Sequence, residues 1–260
     1  MLLSTQVKYI QSLGHKKFRD ADGVFVAEGP KIVLELLQSD RCRLVLGFAT
    51  TAWLRTHEAV LKGKQHLMTE VDGKELERIS TLVTPNQVLG VFTKPVFSKP
   101  EDQKGLILLL DTIQDPGNLG TILRTADWFG IRRIVASMDT ADLFNPKVVQ
   151  SAMGSLIRVE MVYTDLEVYI RSNPGYPIYA ASLEGEDLLD NMPVTKGMLL
   201  MGNESAGISP ALEKLAGKRI RIPGRGGAES LNVAVATGIL LSRMAPFIQT
   251  QSLSPGSNHE

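Results

Sequence analysis

The chain has 260 residues, 43% of them apolar, and its 28 basic residues balance 28 acidic ones. This length and apolar content suit one large or two moderate globular domains, and no apolar run approaches the roughly 20 residues of a membrane span. The single cysteine and four scattered histidines exclude an internal disulfide and give no zinc-ligand spacing, so we expect neither a membrane nor a metal partner.

The first hundred residues mix helical and strand patterns. The N-terminal stretch MLLSTQVKYI lacks the order of a signal peptide, so we expect a cytoplasmic protein. Apolar residues recur every three positions from Val7 to Leu13, which predicts a helix capped by Ser4. Beyond a basic turn, the short strand GVFVAEG precedes an amphipathic helix, KIVLELLQS, and three further segments are typical of strands: RLVLGF, HLMTEV and QVLGVF.

The basic turn GHKKFRDADG has two interpretations, a solvated loop or a contact with phosphate. Residues 1–100 hold 14 Lys and Arg against 10 Asp and Glu, a net +4, whereas residues 101–260 carry a net −4. That asymmetry suits an N-terminal part that touches nucleic acid. Lys16, Lys17 and Arg19 are therefore candidate RNA contacts, although the sequence alone does not choose between the two interpretations.

The segment TKPVFSKPEDQKG, with two prolines and several charges, is typical of an interdomain linker. We therefore predict an N-terminal domain over residues 1–98, a linker over 99–104 and a second domain over 105–248. The composition of the polar tail, residues 249–260, predicts disorder.

The second part alternates strands with helices. GLILLLD is a continuous apolar run, as expected for a parallel strand buried on both faces. A helix is predicted from Asn118 to about Phe129. Asn145 and Pro146 begin another, and Thr164 with Glu167 suggests a capping box for a third.

Ser209 and Pro210 open a fourth helix, and a last helix from Ser230 to about Met244 is apolar on nearly every side, which predicts burial. The remaining strands are RRIVAS, LIRVEMV, PIYAAS, GMLLMG and KRIRIP. This alternation predicts an α/β fold with an open, mostly parallel sheet covered by helices on both faces.

Ligands of such sheets bind beyond the carboxyl ends of the strands, and three loops there are rich in Gly, Asn and Ser. They are DTIQDPGNLGTILR, LLMGNESAGIS and IPGRGGAESLNVAVA. The first has G-N-L-G where a dinucleotide site needs G-x-G-x-x-G, and no G-K-[ST] of a P-loop occurs. Backbone groups of Gly202 to Glu204 and Ile222 to Gly227 suit the edge of an adenine.

These loops resemble the three motifs of the SpoU/TrmH family, within the SPOUT class of RNA methyltransferases. The first motif is matched by Asn118, Gly120 and Arg124, and the second by Gly202, Asn203, Glu204 and Gly207. The third is matched by Ile222, Pro223, Ser230, Leu231, Asn232 and Val233. Many members have Met after Ile-Pro, whereas this chain has Gly224, Arg225, Gly226 and Gly227, which suggests a more mobile cofactor loop or one more basic toward RNA.

The resemblance implies transfer of a methyl group from S-adenosylmethionine to a ribose 2′-hydroxyl of structured RNA. It also implies a deep trefoil knot between about Leu199 and Leu241, and a homodimer whose site is completed across the interface. The N-terminal stretch from Val7 to Leu37 is similar to the small ribosomal-protein-like α/β/α module that precedes many of these catalytic domains, which favours ribosomal over transfer RNA.

The resemblance also assigns site residues. Those implied in catalysis are Asn118, Arg124, Glu204, Ser230 and Asn232. Those implied in holding the cofactor are Ala181, Ser182, Met201, Gly202, Asn203, Gly207, Ile222, Pro223, Leu231 and Asn232. The RNA contacts expected are Lys16, Lys17, Arg19, Arg124 and Arg225. An arginine is a poor base, so the role expected for Arg124 is to orient a phosphate and favour the developing alkoxide.

Two alternatives stay open at this point. A catalytically silent RNA-binding or ribosome-assembly protein would keep the same fold, and a base methyltransferase of the wider SPOUT class would use the same cofactor. Taken singly, Asn118 and Ser230 are typical helix caps and Arg124 is a typical surface arginine.

Overall fold

A computed structural model of the protein describes residues 2–97 and 105–245 except 189 and 191. The predicted linker, 99–104, and tail, 249–260, lie outside the described residues. The N-terminal elements in chain order are α1 (Ser4–Ser12), α2 (Lys16–Asp22), β1 (Val24–Glu28), α3 (Pro30–Gln38), β2 (Leu44–Ala49), α4 (Thr51–Thr56), β3 (Met68–Glu70), α5 (Gly73–Glu77) and β4 (Val88–Thr93).

These elements build a four-stranded sheet in the order β1-β4-β2-β3. β4 lies antiparallel to both β1 and β2, and β3 runs parallel to β2. β1 is buried along its whole length, and its alternate residues enter two cores: Val24 and Val26 pack with α1, and Phe25 and Ala27 pack with α3. The sheet therefore carries helices on both faces. The resemblance of this part to a ribosomal-protein-like module stays a prediction.

The second part holds β5 (Gly105–Leu110), α6 (Pro116–Trp128), β6 (Arg133–Ala136), α7 (Pro146–Ala152), a 3₁₀ segment (Met153–Ile157), β7 (Glu160–Tyr163), α8 (Leu166–Arg171), β8 (Ile178–Asp187), β9 (Lys196–Met201), α9 (Pro210–Glu213), β10 (Lys218–Arg221) and α10 (Val233–Met244). Its six strands lie in the order β10-β8-β9-β5-β6-β7, and every neighbouring pair is parallel. The predicted α/β fold with a mostly parallel sheet is confirmed.

The two sheets share one hydrophobic core. A single cluster of buried residues contains Phe25 and Ile32 of the N-terminal part together with Leu119 and Val148 of the second part. The rings of Phe25 and Phe144 lie 5.2 Å apart across this boundary. The two parts therefore pack as one body, without a solvated gap between them.

The position of Arg19 contradicts one of the predicted RNA contacts. The segment expected to be a basic turn forms α2, and the guanidinium of Arg19 is 2% exposed. It donates to the backbone carbonyls of Leu13 and Gly14 and forms an ion pair with Asp142 of the second part. A side chain with these buried partners cannot present its charge to a phosphate, so the prediction for Arg19 was wrong.

Several predicted helix starts also differ. Asp115 caps α6 instead of Asn118, Asn232 caps α10 instead of Ser230, and Asp165 caps α8 in place of the expected box. Each of these caps accepts a hydrogen bond from a backbone N–H of the first turn. α10 is not fully buried, since Val235 is 52% and Ile239 37% exposed. Within the described residues, no helix has the length and apolar character needed to cross a bilayer.

The buried ion pair between Arg19 and Asp142 should contribute measurably to stability. We expect Asp142→Asn to lower the free energy of unfolding by about 3 kcal/mol, because it leaves a buried guanidinium without its counter-charge. Asp20→Asn is the matched control, since it makes the same chemical change in the more exposed pair with Lys94 and should cost under about 1 kcal/mol. Urea unfolding of both variants measures this difference, and an equal loss of stability in the two would show that the buried ion pair does not stabilise the fold.

Candidate active site

The first and second motif loops leave the sheet side by side. β5 and β9 pair in parallel with Leu110 opposite Met201, and the backbone N–H of Asp111 donates to the carbonyl of Met201 at 2.9 Å. Both loops therefore begin at the same level of the carboxyl edge, where ligands of parallel sheets bind.

Partly buried polar contacts hold these two loops together. The Asp111 carboxylate, 6% exposed, accepts the backbone N–H of Ser209 at 2.8 Å, and the Asn203 side chain donates to the carbonyl of Thr112 at 2.8 Å. Thr112 has a φ of +59°, a strained conformation for a β-branched residue, and its N–H is fixed by the Ser137 hydroxyl. Sequence reasoning missed Asp111 and Thr112, although the position directly after a buried strand marks both.

The second loop is a tight turn closed on itself. Asn203 and Gly207 exchange backbone hydrogen bonds at 2.9 Å, and the Asn203 side-chain oxygen accepts the N–H groups of Ser205 and Ala206. Gly207 has a φ of +69°. A Cβ on Gly202 would lie 2.3 Å from the backbone of Gly207, so only glycine fits at this position.

Three side chains from the three loops meet in one hydrogen-bonded triangle. The Asn118 amide donates to the Glu204 carboxylate, and the Asn232 amide lies 3.0 Å from the Asn118 oxygen and 3.1 Å from the same Glu204 oxygen. Asn232 also accepts the N–H groups of Ala234 and Val235 at the start of α10. One carboxylate oxygen thus fixes two amides, and the groups left for a ligand are the second N–H of Asn118 and the other Glu204 oxygen, because the amide of Asn232 is fully used.

The start of α6 is itself anchored. The backbone N–H of Asn118 donates to Asp115 at 2.8 Å, and this bond, followed by the nearby Lys147 ammonium 3.3 Å away, holds the pKa of the Asp115 carboxyl below its usual value. Gly120 lies where α7 crosses, because a Cβ there would come within 2.8 Å of the carbonyl of Val148. Gly120 thus serves packing, and Asp115 is a site-supporting residue that the sequence reasoning missed.

The third loop presents backbone to solvent. Pro223 to Ser230 are exposed, Ile222 is half-buried, and the Leu231 side chain is about half exposed. Added Cβ atoms on Gly224, Gly226 and Gly227 would meet nothing within 4 Å. Within the described part of the chain, the side chains of Ser230 and Arg225 make no hydrogen bond or ion pair, so neither joins the triangle.

Ala181 and Ser182 lie where β8 separates from β9. The pairing of β8 with β9 ends at Ala180 opposite Leu200, and the register with β10 jumps from Ala180 to Glu186. Both residues are half-buried beyond this last paired position, level with Met201 and Gly202. This position suits the lining of a pocket above the strand ends.

Arg124 does not reach the triangle within one chain. It is exposed and lies six residues after Asn118, which corresponds to about 9 Å along a helix and about 120° around it. Among the described residues it has no ion-pair or hydrogen-bond partner.

Lys16 and Lys17 are exposed. The Lys16 ammonium lies 6.0 Å from the Tyr163 ring, and the Lys17 ammonium lies 4.7 Å from the Phe18 ring.

Comparisons with known proteins identify families and relatives that this chain resembles. The model of the SpoU rRNA Methylase family matches residues 105–242, and that of the MRM3-like substrate binding domain matches residues 4–90. The 23S rRNA (guanosine(2553)-2'-O)-methyltransferase RlmP of Bacillus subtilis is 34% identical over 91% of this chain and 94% of its own length.

Two solved structures have a similar fold along nearly the whole chain. A TrmH-family protein from Porphyromonas gingivalis has a TM-score of 0.78 and 41% identity, covering 94% of this chain and 98% of its own. An AdoMet-bound rRNA methyltransferase from Sinorhizobium meliloti has a TM-score of 0.81 and 32% identity, covering 94% and 95%.

The close backbone approach at Gly202 leads to a stability prediction. We expect Gly202→Ala to lower the free energy of unfolding by about 1–3 kcal/mol, because the new methyl group must displace the turn that ends at Gly207. Gly224→Ala, placed in open space, should stay within about 0.5 kcal/mol of the wild type. Equal urea midpoints for the two variants would show that the turn accommodates the methyl group without loss of stability.

Proposed function

Since the chain belongs to the SpoU rRNA methylase family and is an S-adenosylmethionine-dependent RNA methyltransferase, we propose that it methylates a ribose 2′-hydroxyl of ribosomal RNA. The observation that carries the proposal is the triangle of Asn118, Glu204 and Asn232, because three separate motif loops supply it at the carboxyl edge of the sheet. The name of the Bacillus subtilis relative, a 23S rRNA 2'-O-methyltransferase, supports both the ribose and the ribosomal RNA.

The second and third loops fit the methyl donor. The Gly202 turn leaves backbone close to the strand ends, and the loop glycines after Pro223 leave open space beside a half-exposed Leu231. We assign the adenosine to main-chain groups of Gly202, Ile222 and Leu231. The walls around it would come from Ala181, Ser182, Met201, Asn203, Gly207 and Pro223. When bound, S-adenosylmethionine supplies an electrophilic methyl group on a sulfonium.

The remaining roles, in catalysis and in RNA binding, are assigned to side chains. Glu204 and Asn232 hold the Asn118 amide so that its free N–H can face the ribose, and Ser230 lies on the same loop as Asn232. Arg124 carries a fixed positive charge with a fork of donors, which orients a phosphate and favours the developing alkoxide. Lys16, Lys17 and Arg225 are exposed cations available to more distant phosphates.

We extend the proposal to the domain limits and the knot. An RNA-binding domain over 1–98 and a methyltransferase domain over 105–248 would contain the ranges that the two family models match, 4–90 and 105–242. α10 begins beside Asn118 and ends where the carbonyls of Arg243 and Met244 accept the N–H groups of Met192 and Val194, just before β9. A last helix that runs between these two points supports the predicted trefoil knot.

A homodimer would complete the site. Val235 and Ile239 lie four residues apart on the outer face of α10 and are exposed, and Leu231, just before the helix, is about half exposed; together these three residues form an apolar stripe. This stripe starts at the triangle, and Arg124 lies outside the triangle of its own chain. A second copy docked on the stripe would allow Arg124 of one chain to approach the triangle of the other.

The ribose assignment and the role of Arg124 can be tested together. With tritium-labelled S-adenosylmethionine and ribosomal RNA, we expect the label on ribose, detected as linkages that resist alkaline hydrolysis. Arg124→Ala should lower the transfer rate by roughly 10²–10³-fold, because it removes a charge aimed at the developing alkoxide. Its affinity for the donor, measured by calorimetric titration, should stay near that of the wild type.

Arg132→Ala is the control for that experiment, since Arg132 is exposed and lies outside the candidate site. Label on a base would establish the base-methyltransferase alternative. Loss of donor binding in Arg124→Ala would give this residue a structural role instead.

The apolar stripe predicts the oligomeric state. We expect light scattering of the wild type to give twice the chain mass of 28.4 kDa, and Val235→Lys to give the single mass, because a charge would be buried at the interface. Val168→Lys, on the exposed face of α8, should leave the mass unchanged. A double mass that survives in Val235→Lys would exclude this face as the interface.

A further inference from the structure

A polar pocket lies beside Arg124, outside the triangle. It is bounded by α3 of the N-terminal part, the last two turns of α6 and the 3₁₀ segment after α7. The residues that matter in its walls are Lys31, Glu35, Arg124, Asp127, Trp128 and Arg158. Both sequence regions thus contribute to one cavity next to a proposed catalytic side chain.

Both acidic groups of this pocket are paired with one cation, Arg158, and its three cations outnumber its two carboxylates. Arg158 lies 2.8 Å from the Asp127 carboxylate and 3.3 Å from that of Glu35. Asp127 also accepts the Ser155 hydroxyl at 2.8 Å. Lys31 and Arg124 have no ion pair or hydrogen bond within the described residues, so the positive charges available to a ligand are those two.

Trp128 adds an aromatic face. Its side chain, on the last residue of α6, is 84% exposed, whereas the other tryptophan, Trp53, is 1% exposed. Tryptophan is rarely left this open, because its large apolar surface is costly in water. An exposed ring beside two unpaired cations is the combination with which proteins bind an unpaired nucleotide, by stacking on the base and pairing with the phosphate.

The surroundings of Trp128 favour RNA over a second copy of the chain. Cores of protein interfaces are depleted of charged residues, and Trp128 is flanked in this pocket by five charged side chains. The exposed apolar stripe of α10 is a separate surface made of aliphatic residues. The pocket also contains Arg124, which the proposed function places at the reacting nucleotide.

We propose that Lys31, Arg124 and Trp128 form a subsite for a nucleotide adjacent to the methylated one. Its base stacks on Trp128, and its phosphate lies between Lys31 and Arg124. This inference rests on the proposed function. The ion pairs of Arg158 with Glu35 and Asp127 join α3 to α6, so Lys31 and Trp128 face the ligand from a fixed frame.

The test uses the full chain and a mixed-sequence single-stranded RNA of about twelve nucleotides. Trp128→Ala should weaken RNA binding roughly tenfold, while Trp128→Phe, which keeps an aromatic face, should retain most of the affinity. In the wild type, RNA should protect tryptophan fluorescence from acrylamide, and Trp128→Phe, with only buried Trp53, should lose this protection.

Lys31 has a closely matched control. Lys31 and Lys74 are both exposed and both occupy the second position of a helix in the N-terminal part. Lys31→Ala should reduce the slope of log affinity against log salt by about 1, and Lys74→Ala should leave it unchanged. Calorimetric affinity for S-adenosylmethionine should be the same in every variant.

The other outcomes overturn specific parts. Unchanged RNA affinity in Trp128→Ala would eliminate the subsite, even if methylation proceeds as proposed. Two results would instead place Trp128 at a contact between two copies. One is acrylamide quenching of tryptophan fluorescence that weakens, without RNA, as the protein concentration rises, and the other is a changed molecular mass of Trp128→Ala. If the wild type methylated no RNA, the proposed function would fail, and the subsite with it.

Discussion

The parallel pairing of β5 with β9 is the constraint on which the candidate site depends. It places Leu110 opposite Met201, so that the next residues of both strands enter the two loops at one level. Asp111 and Asn203 then cross-link these loops through backbone groups. Without this pairing of β5 with β9, Asn118 and Glu204, which are 86 residues apart in sequence, would not be brought within hydrogen-bond distance.

Most strands, the sheet class and the position of the three loops could be predicted because their signals are local, whereas the predicted strand LIRVEMV is 3₁₀ at Leu156 and Ile157 and becomes a strand only at Glu160. A strand buried on both faces is a continuous apolar run, and a ligand loop follows such a run. The cap of α6 was also within reach, since Asp115–Pro116 repeats the signal used correctly for Asn145–Pro146. Contacts between residues distant in sequence could not be predicted, because the contact of Asn118 with Asn232 exists only after the sheet has formed.

Arg19 shows why charge patterning did not separate surface from interior. Lys16, Lys17 and Arg19 form one basic run in the sequence, yet the first two are exposed and the third is buried. The difference arises from Asp142, 123 residues away, which supplies the counter-charge once the two sheets pack together. The same packing makes the N-terminal part and the motif loops share a core, so their relative orientation is a property of the fold.

α6 presents two functional faces because of its periodicity. Asn118 points toward the donor loops, whereas Arg124 and Trp128, about 120° and about 80° away from it around the axis, border the N-terminal part. The helix is fixed at its start by Asp115 and Lys147 and at its last turn by Asp127 with Arg158 and Ser155. A helix held at both ends keeps a constant distance between its two faces. α6 therefore fixes the spacing between Asn118 and the subsite of Lys31, Arg124 and Trp128 within one chain, and in the proposed dimer the docking of the two copies sets the distance from that subsite to the methyl donor of the second copy.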